Sequence, residues 1–153
     1  VARRAEDIRL AAWWKLLAAH AQLVRRVDRD LVVATALPLG SFNVLRLLHE
    51  APDRRLRLGE LANSVFLTRS GVTRLANRLE GAGLLRREGH GRDRRGSCAV
   101  LTDRGLDEWR RAKDVFARTV AEHFGSHLSD AEAETLNAVL GRIVTPEAGA
   151  DCQ

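Results

Sequence analysis

Only two cysteines, Cys98 and Cys152, occur in the chain, too few for a disulfide framework, and a reduced, cytosolic compartment is the simplest inference. Long apolar runs are missing too. Charge interrupts every stretch well short of the ~18 residues of a membrane-spanning helix. The N-terminal VARRAEDIRL is basic in part, but Lys15 and His20 follow it and no cleavage site does, so no secretory signal is expected. No methionine is present and the chain opens on Val1, which leaves the native start open. Internal repeats and low-complexity segments are absent. Serine, histidine and aspartate occur, but none stands in a nucleophile elbow, a phosphate loop or a paired-carboxylate spacing, which argues against an enzyme.

Hydrophobic residues make up 45% of the 153 and charged ones 29%, the balance of a globular chain of one domain, or of one small domain with an oligomerisation element. Lysine appears only as Lys15 and Lys113, so 23 of the 25 basic residues are arginine. A GC-rich coding sequence produces such a bias, so distribution says more than abundance. Between Arg54 and Arg95 stand 11 arginines against Glu60, Glu80, Glu88 and Asp93, a net of +7. The remainder has 14 basic and 16 acidic residues, a net of −2. A positive middle third on a nearly neutral scaffold is the footprint of a polyanion-binding lobe.

Periodicity supplies the elements. Leu10, Trp13, Leu17, Val24, Val27 and Leu31 recur at three- and four-residue steps, with His20 in the gap, predicting one helix from about Glu6 to Val33. Trp14, Leu16 and Leu23 lie off that stripe. A helix with more apolar surface than one core can cover points to a partner helix from another chain. Pro38 and Gly40 mark a turn before a helix over Ser41 to Glu50, with Phe42, Leu45 and Leu48 inward; RLRL then reads as a brief strand. Two short helices follow, Glu60 to Phe66 and Arg69 to Ala82, the second capped by Thr68 and terminated by Gly83. Val72, Leu75, Leu79 and Ala82 are expected to face inward, leaving Arg69, Ser70, Thr73, Arg74, Asn77 and Arg78 outside. Strands are expected over Leu84 to Glu88 and Ser97 to Leu101, with residues 89–96 as a long hairpin loop. Thr102 caps a helix from Asp103 to about Phe124, ended by Gly125. Ser129 and Glu132 form a capping box for a last helix to about Val144.

Two short helices with a tight turn, followed by a basic hairpin, describe a winged helix-turn-helix. Its second helix can enter a major groove, where Ser70, Thr73 and Arg74 suit base edges and Arg69 and Arg78 suit phosphates. The stretch GHGRDRRG is the wing. Its arginines can enter a minor groove, and Asp93 can hold the guanidinium of Arg95, leaving Arg92 and Arg94 for phosphates.

SVFLTRSGVTRLANRLEGAGLLRRE followed by GRDRRGSCAVLTDRG resembles the MarR family of bacterial regulators. The matching marks are Leu61-Ala62, Ser70-x-x-Thr73-Arg74, Leu79-Glu80-x-x-Gly83-Leu84, Asp93-x-Arg95 and Leu101-Thr102-x-x-Gly105. The resemblance implies a homodimer with intertwined first, fifth and sixth helices. Its two winged lobes would sit about one DNA turn apart on a pseudo-palindromic operator. It further implies repression of nearby genes, relieved by a small molecule or an oxidant. Family members that sense peroxide carry a reactive cysteine near the start of the first helix. This chain has none there, and Cys98 reads as a small packed strand residue. His123 and His127 have a spacing that can chelate zinc, but Gly125 separates them and no third ligand is near in sequence. The family's zinc sensors place such a pair nearer the middle of the fifth helix, where this chain has Ala112 and Phe116. No metal or cofactor is expected. Trp13, Trp14, His20, Arg46, His49 and Trp109 lie on the three helices that line the family's effector pocket. Aromatic walls with a few cationic or neutral donors suit an aromatic carboxylate or phenol, while dimer-core packing is the other use for the tryptophans.

The expected fold is therefore mainly α with a small β-wing. A dimerisation helix (1–37) precedes a winged helix-turn-helix lobe (38–101), C-terminal dimerisation helices (102–146) and a frayed tail (147–153). The expected function is sequence-specific DNA binding by a cytoplasmic regulator. The alternatives are a DNA-binding protein without an effector, competing with other chromosome proteins, and an interaction module that does not bind DNA.

Overall fold

A computed structural model describes residues 2–64, 69–89 and 98–144. Helix α1 spans Ala2–Thr35, longer at both ends than the periodicity predicts, because nothing before Pro38 breaks it. It closes at Ala36, whose φ of 58° lies in the left-handed region. Helix α2 (Leu39–Glu50) begins two residues earlier than expected, and Gly40 is helical rather than part of a turn. The cause comes from outside the segment: the Asp28 carboxylate on α1 accepts from the Leu39 amide at 2.8 Å. A carboxylate at a helix N-terminus satisfies an orphan donor and complements the dipole.

A single 3₁₀ turn (Pro52–Arg54) leads into strand β1 (Arg55–Arg57). Helix α3 runs from Leu58 to Ser64, starting ahead of the predicted Glu60 because the Glu60 carboxylate accepts from the Arg57 amide at 3.2 Å. Helix α4 spans Arg69–Gly81. The α3–α4 connection, with the Thr68 cap, lies outside the described residues, as do the side chain of Arg69 and residues 90–97 of the hairpin.

Strands β2 (Leu85–Glu88) and β3 (Cys98–Leu101) complete an antiparallel sheet of order β1-β3-β2, with Leu56 opposite Ala99 and Leu85 opposite Leu101. All four residues of the central strand are buried. Cys98 is among them, packed within the strand as expected, and its sulfur is disulfide-bonded.

Helix α5 (Asp103–His123) stops one residue short of Phe124, and Gly125 opens a 3₁₀ turn (Gly125–His127) rather than ending the helix. Helix α6 (Asp130–Ile143) starts with the predicted capping box, and the Ser129 hydrogen bonds hold the Glu132 carboxyl below its ordinary range.

One apolar core joins these elements: Leu31 of α1, Phe42 and Leu45 of α2, Leu61 of α3, Leu79 of α4 and Leu106 of α5. Phe42 stacks on Phe116 with ring centroids 4.6 Å apart. Two regions stay outside it. Every residue of α1 from 7 to 22 is exposed, and α6 has no buried residue. Among the described residues no single helix is long and apolar enough to cross a membrane.

The tightest junction lies where α4, the sheet and α5 meet. Gly83, at φ 71°, donates to the Glu80 carbonyl and Leu84 donates to that of Leu79, each at 2.9 Å, a Schellman closure of α4. Thr102 then does two things with one hydroxyl: it accepts from the Gly105 amide at 3.0 Å and donates to the Gly83 carbonyl at 2.7 Å. Gly105 sits so close that a Cβ there would overlap the Leu84 carbonyl and the Leu101 side chain. A second tie spans α1 and α5, where His123 Nε2 meets the Asp30 carboxylate at 2.6 Å. That hydrogen bond, then the one from Arg29, holds the Asp30 carboxyl below its ordinary range.

Gly105→Ala should lower stability by ~3 kcal/mol or more, because the obstructing atom is backbone. Thr102→Ala should cost ~1 kcal/mol as a lost cap. Chemical denaturation measures both, and a Gly105→Ala midpoint equal to wild type would remove the close-approach reading. The lowered Asp30 value sets a sign for pH: its stabilising share is whole above the ordinary carboxylate range and drains as pH falls through the lowered value. Asp30→Asn should therefore melt below wild type at neutral pH, with the gap closing in acid. A gap that persists at low pH contradicts this.

Candidate nucleic-acid interface

Helix α4 divides cleanly by face. Val72, Leu75, Ala76 and Leu79 are buried, and Ser70, Thr73, Arg74, Asn77 and Arg78 are exposed. Ala82 departs from the expected inward set. It lies past the end of α4, in the turn that Gly83 bends away from the core, and it is exposed. The buried face anchors α4 through Leu75 and Leu79 to the core beneath α2, so the outer face is presented by a rigid support.

Charge pairing sorts the arginines of the lobe. Arg54 faces Asp103 at 3.3 Å, Arg55 and Arg86 both meet Glu88, and Arg87 faces Glu80 at 3.3 Å. Among the described residues Arg74 and Arg78 have no acidic partner. Arg57 of β1 is likewise without one, and the rest of the region's excess positive charge belongs to the outer face of α4 and to the hairpin sequence. Arg92, Asp93, Arg94 and Arg95, with the expected Asp93–Arg95 pairing, lie outside the described residues. Strand β2, which leads into them, packs beside α4. A convex helix that carries hydroxyls and guanidiniums without an acidic partner among the described residues, next to a basic hairpin, can contact phosphates and base edges.

The six residues expected around an effector separate into two groups. His49 and Trp109 come together across α2 and α5, ring centroids 4.1 Å apart, with Lys113 Nζ 5.7 Å from the Trp109 ring. Arg46 lies one turn before His49 and is bonded to Glu50 at 2.7 Å. Trp13, Trp14 and His20 stand on the exposed half of α1, with Trp13 52% and Trp14 61% exposed. A cavity of about 300 Å³, lined by residues that include Leu23, Val27, Leu39, Asn43, Phe116 and Phe124, opens between α1, α2 and α5. Sequence periodicity gave no signal for it, because it forms where three helices diverge. Among the described residues no group of three His, Cys, Asp or Glu side chains is placed to hold a metal ion. His123, the first of the predicted zinc-spaced pair, is engaged by Asp30.

Comparison with known proteins matches this geometry. A model of the MarR family aligns with residues 37–96. Sco3205, a MarR family transcriptional regulator from Streptomyces coelicolor solved in complex with DNA, is 30% identical, with 88% of this chain and 84% of that one covered and a TM-score of 0.77. AbsC, another MarR family regulator from the same organism, is 29% identical over 90% of this chain and 92% of its own, also with a TM-score of 0.77. A transcriptional regulatory protein for the hcr operon of Thauera aromatica is 29% identical over 119 residues, 78% of this chain and 70% of that protein. Family and fold are those of regulators, not enzymes. The shared winged lobe, the wing hairpin's basic sequence and the long flanking helices place the chain in the MarR family of transcriptional regulators.

Proposed function

We propose that the chain is a homodimeric, cytoplasmic repressor that binds a pseudo-palindromic operator and releases it when a small effector binds. The observation that carries the DNA-reading part is the outer face of α4, where Arg74 and Arg78 have no acidic partner among the described residues. Ser70, Thr73 and Arg74 read bases in the major groove, and Arg69, Arg78, Arg92 and Arg94 anchor phosphates. Arg95, held by Asp93, enters the minor groove. That Sco3205 was solved with DNA supports the same use of this lobe.

Two features support a homodimer. The N-terminal half of α1 exposes Ile8, Leu10, Trp13 and Trp14 together, and α6 exposes Val139 and Ile143. So much apolar helix surface is covered by another chain in stable regulators of this size. Residues 1–37 and 102–146 are then the dimerisation elements around a lobe of 38–101. Support for an effector comes from the His49–Trp109 pair; the cavity between α1, α2 and α5 is lined by none of the six expected residues. Trp109 Nε1 and His49 Nδ1 are buried with no hydrogen-bond partner among the described residues. An acidic or phenolic aromatic compound would satisfy those nitrogens beside Arg46, with Trp13, Trp14 and His20 closing over it from α1. Its binding relieves repression only through a preference for one separation of the two lobes.

Selection from a random DNA pool at near-physiological salt should enrich a palindrome with half-sites about ten base pairs apart. A pool that stays random overturns the operator reading. On the selected site, Arg74→Ala should cost ~1–3 kcal/mol and relax preference at one position, whereas Arg78→Ala should weaken all sequences alike. Arg95→Ala with unchanged operator affinity would remove the minor-groove role.

A further inference from the structure

One arginine of the wing turns away from solvent and back over the recognition helix. Arg87, on β2, has a side chain only 25% exposed. Its Nε faces Glu80 Oε2 at 3.3 Å, and its Nη2 donates to Asn77 Oδ1 and, at 3.4 Å, to the Thr73 carbonyl. The backbone amide of the same residue donates to Glu80 Oε1 at 3.1 Å. Thr73, Asn77 and Glu80 are spaced four and three apart, so they form one stripe along α4. A single planar guanidinium therefore grips two turns of the helix, and the Glu80 carboxylate is shared between the side chain and main chain of one residue.

We propose that Arg87 is a positioning residue for DNA reading: it fixes the roll of α4 relative to the wing, so that helix and hairpin meet adjacent grooves in register. This rests on the DNA-binding reading above. Between α4 and β2 the chain has only Ala82, Gly83 and Leu84, a turn that fixes the C-terminal end of the helix and leaves its base-reading half to be held by other contacts. Arg87 supplies one at Thr73, next to Arg74. Its own charge is matched by Glu80 and its Nη2 is bonded to α4, which sets it apart from Arg74 and Arg78. Glu80 also gains a reason for its position. A carboxylate on this helix repels phosphate, and here it serves as the clamp on Arg87. Lysine cannot replace the fork, since one ammonium cannot span Glu80 and Asn77 together in the same plane.

The test measures affinity of the full chain for the DNA it selects from a random pool and for a scrambled duplex, each across a salt series. For Arg87→Ala, the ratio of specific to non-specific affinity should fall about tenfold, the scale of one lost base contact. The slope of log K against log salt should stay that of wild type. A ratio that holds, or a slope reduced by about 0.9 as for a lost phosphate contact, overturns the proposal. A ratio of affinities is unmoved by a mere loss of folded fraction, so general destabilisation cannot imitate the expected result. Should Arg87→Ala not fold, Glu80→Gln carries the test with opposed signs. Removing an acid should raise non-specific affinity while the specificity ratio drops, and a ratio that is equal or higher overturns the assignment. A wild-type protein that selects no sequence removes the DNA-binding reading, and the proposal with it; a wild type that discriminates beside variants that discriminate equally removes only the proposal.

Discussion

The approach of Gly105 to the Leu84 carbonyl is the constraint on which the arrangement of the molecule depends. Because α5 has no side chain at that point, its first turn can lie directly on the backbone that leaves α4. The Thr102 hydroxyl closes the contact by bonding to both sides, to the Gly83 carbonyl and the Gly105 amide. Helix α4, strand β2, strand β3 and α5 are thereby fixed about one small backbone cluster. Everything beyond it inherits that geometry: the aim of α4, the departure of the hairpin, and the direction in which α5 runs toward α1. A buried polar cluster in which each member is satisfied specifies one arrangement more sharply than apolar packing alone.

Electrostatics in the lobe follows a division of labour. Acids are few between Arg54 and Arg95, and the described ones are spent inside the scaffold, Glu88 on Arg55 and Arg86 and Glu80 on Arg87. Spending them there leaves the outer face of α4 unopposed. The total charge of the region is thus a poor guide to its working charge, which depends on which guanidiniums are already engaged. Exposed pairs of this kind contribute little to stability. Their effect is on where positive potential remains.

Features whose causes are local could be read from the sequence. Thr102, Ser129 with Glu132, and Gly83 each act within a few residues of themselves, and each caps or ends its helix as the pattern implies. The period of Val72, Leu75 and Leu79 gave the buried face of α4 for the same reason. Where the cause lies far along the chain, the reading failed or fell silent. The start of α2 is set by Asp28, 11 residues earlier, and no local signal at Gly40 reveals it. His49 meets Trp109, and Asp30 meets His123, across separations that periodicity does not encode. Arg87 looked like one more basic residue of the wing. Only the fold shows that its side chain points back to α4, although the glutamate that stands second in the Leu79-Glu80-x-x-Gly83-Leu84 mark was a signal that could have prompted the question.

The exposed N-terminal half of α1 has a consequence for how the molecule is made. That segment leaves the ribosome before the lobe does, yet residues 7–22 add no buried residue to the core, which takes from α1 only its C-terminal half, Leu31 among it. Folding of the lobe can therefore finish while Trp13 and Trp14 are still wet. In the homodimer proposed above, the interval between completing the lobe and meeting a second chain is a period of exposed aromatic surface, and its length grows as the protein becomes scarcer. For a repressor made in few copies, that interval sets a lower limit on useful abundance. Below it, a nascent subunit is more exposed to aggregation and proteolysis than to its partner.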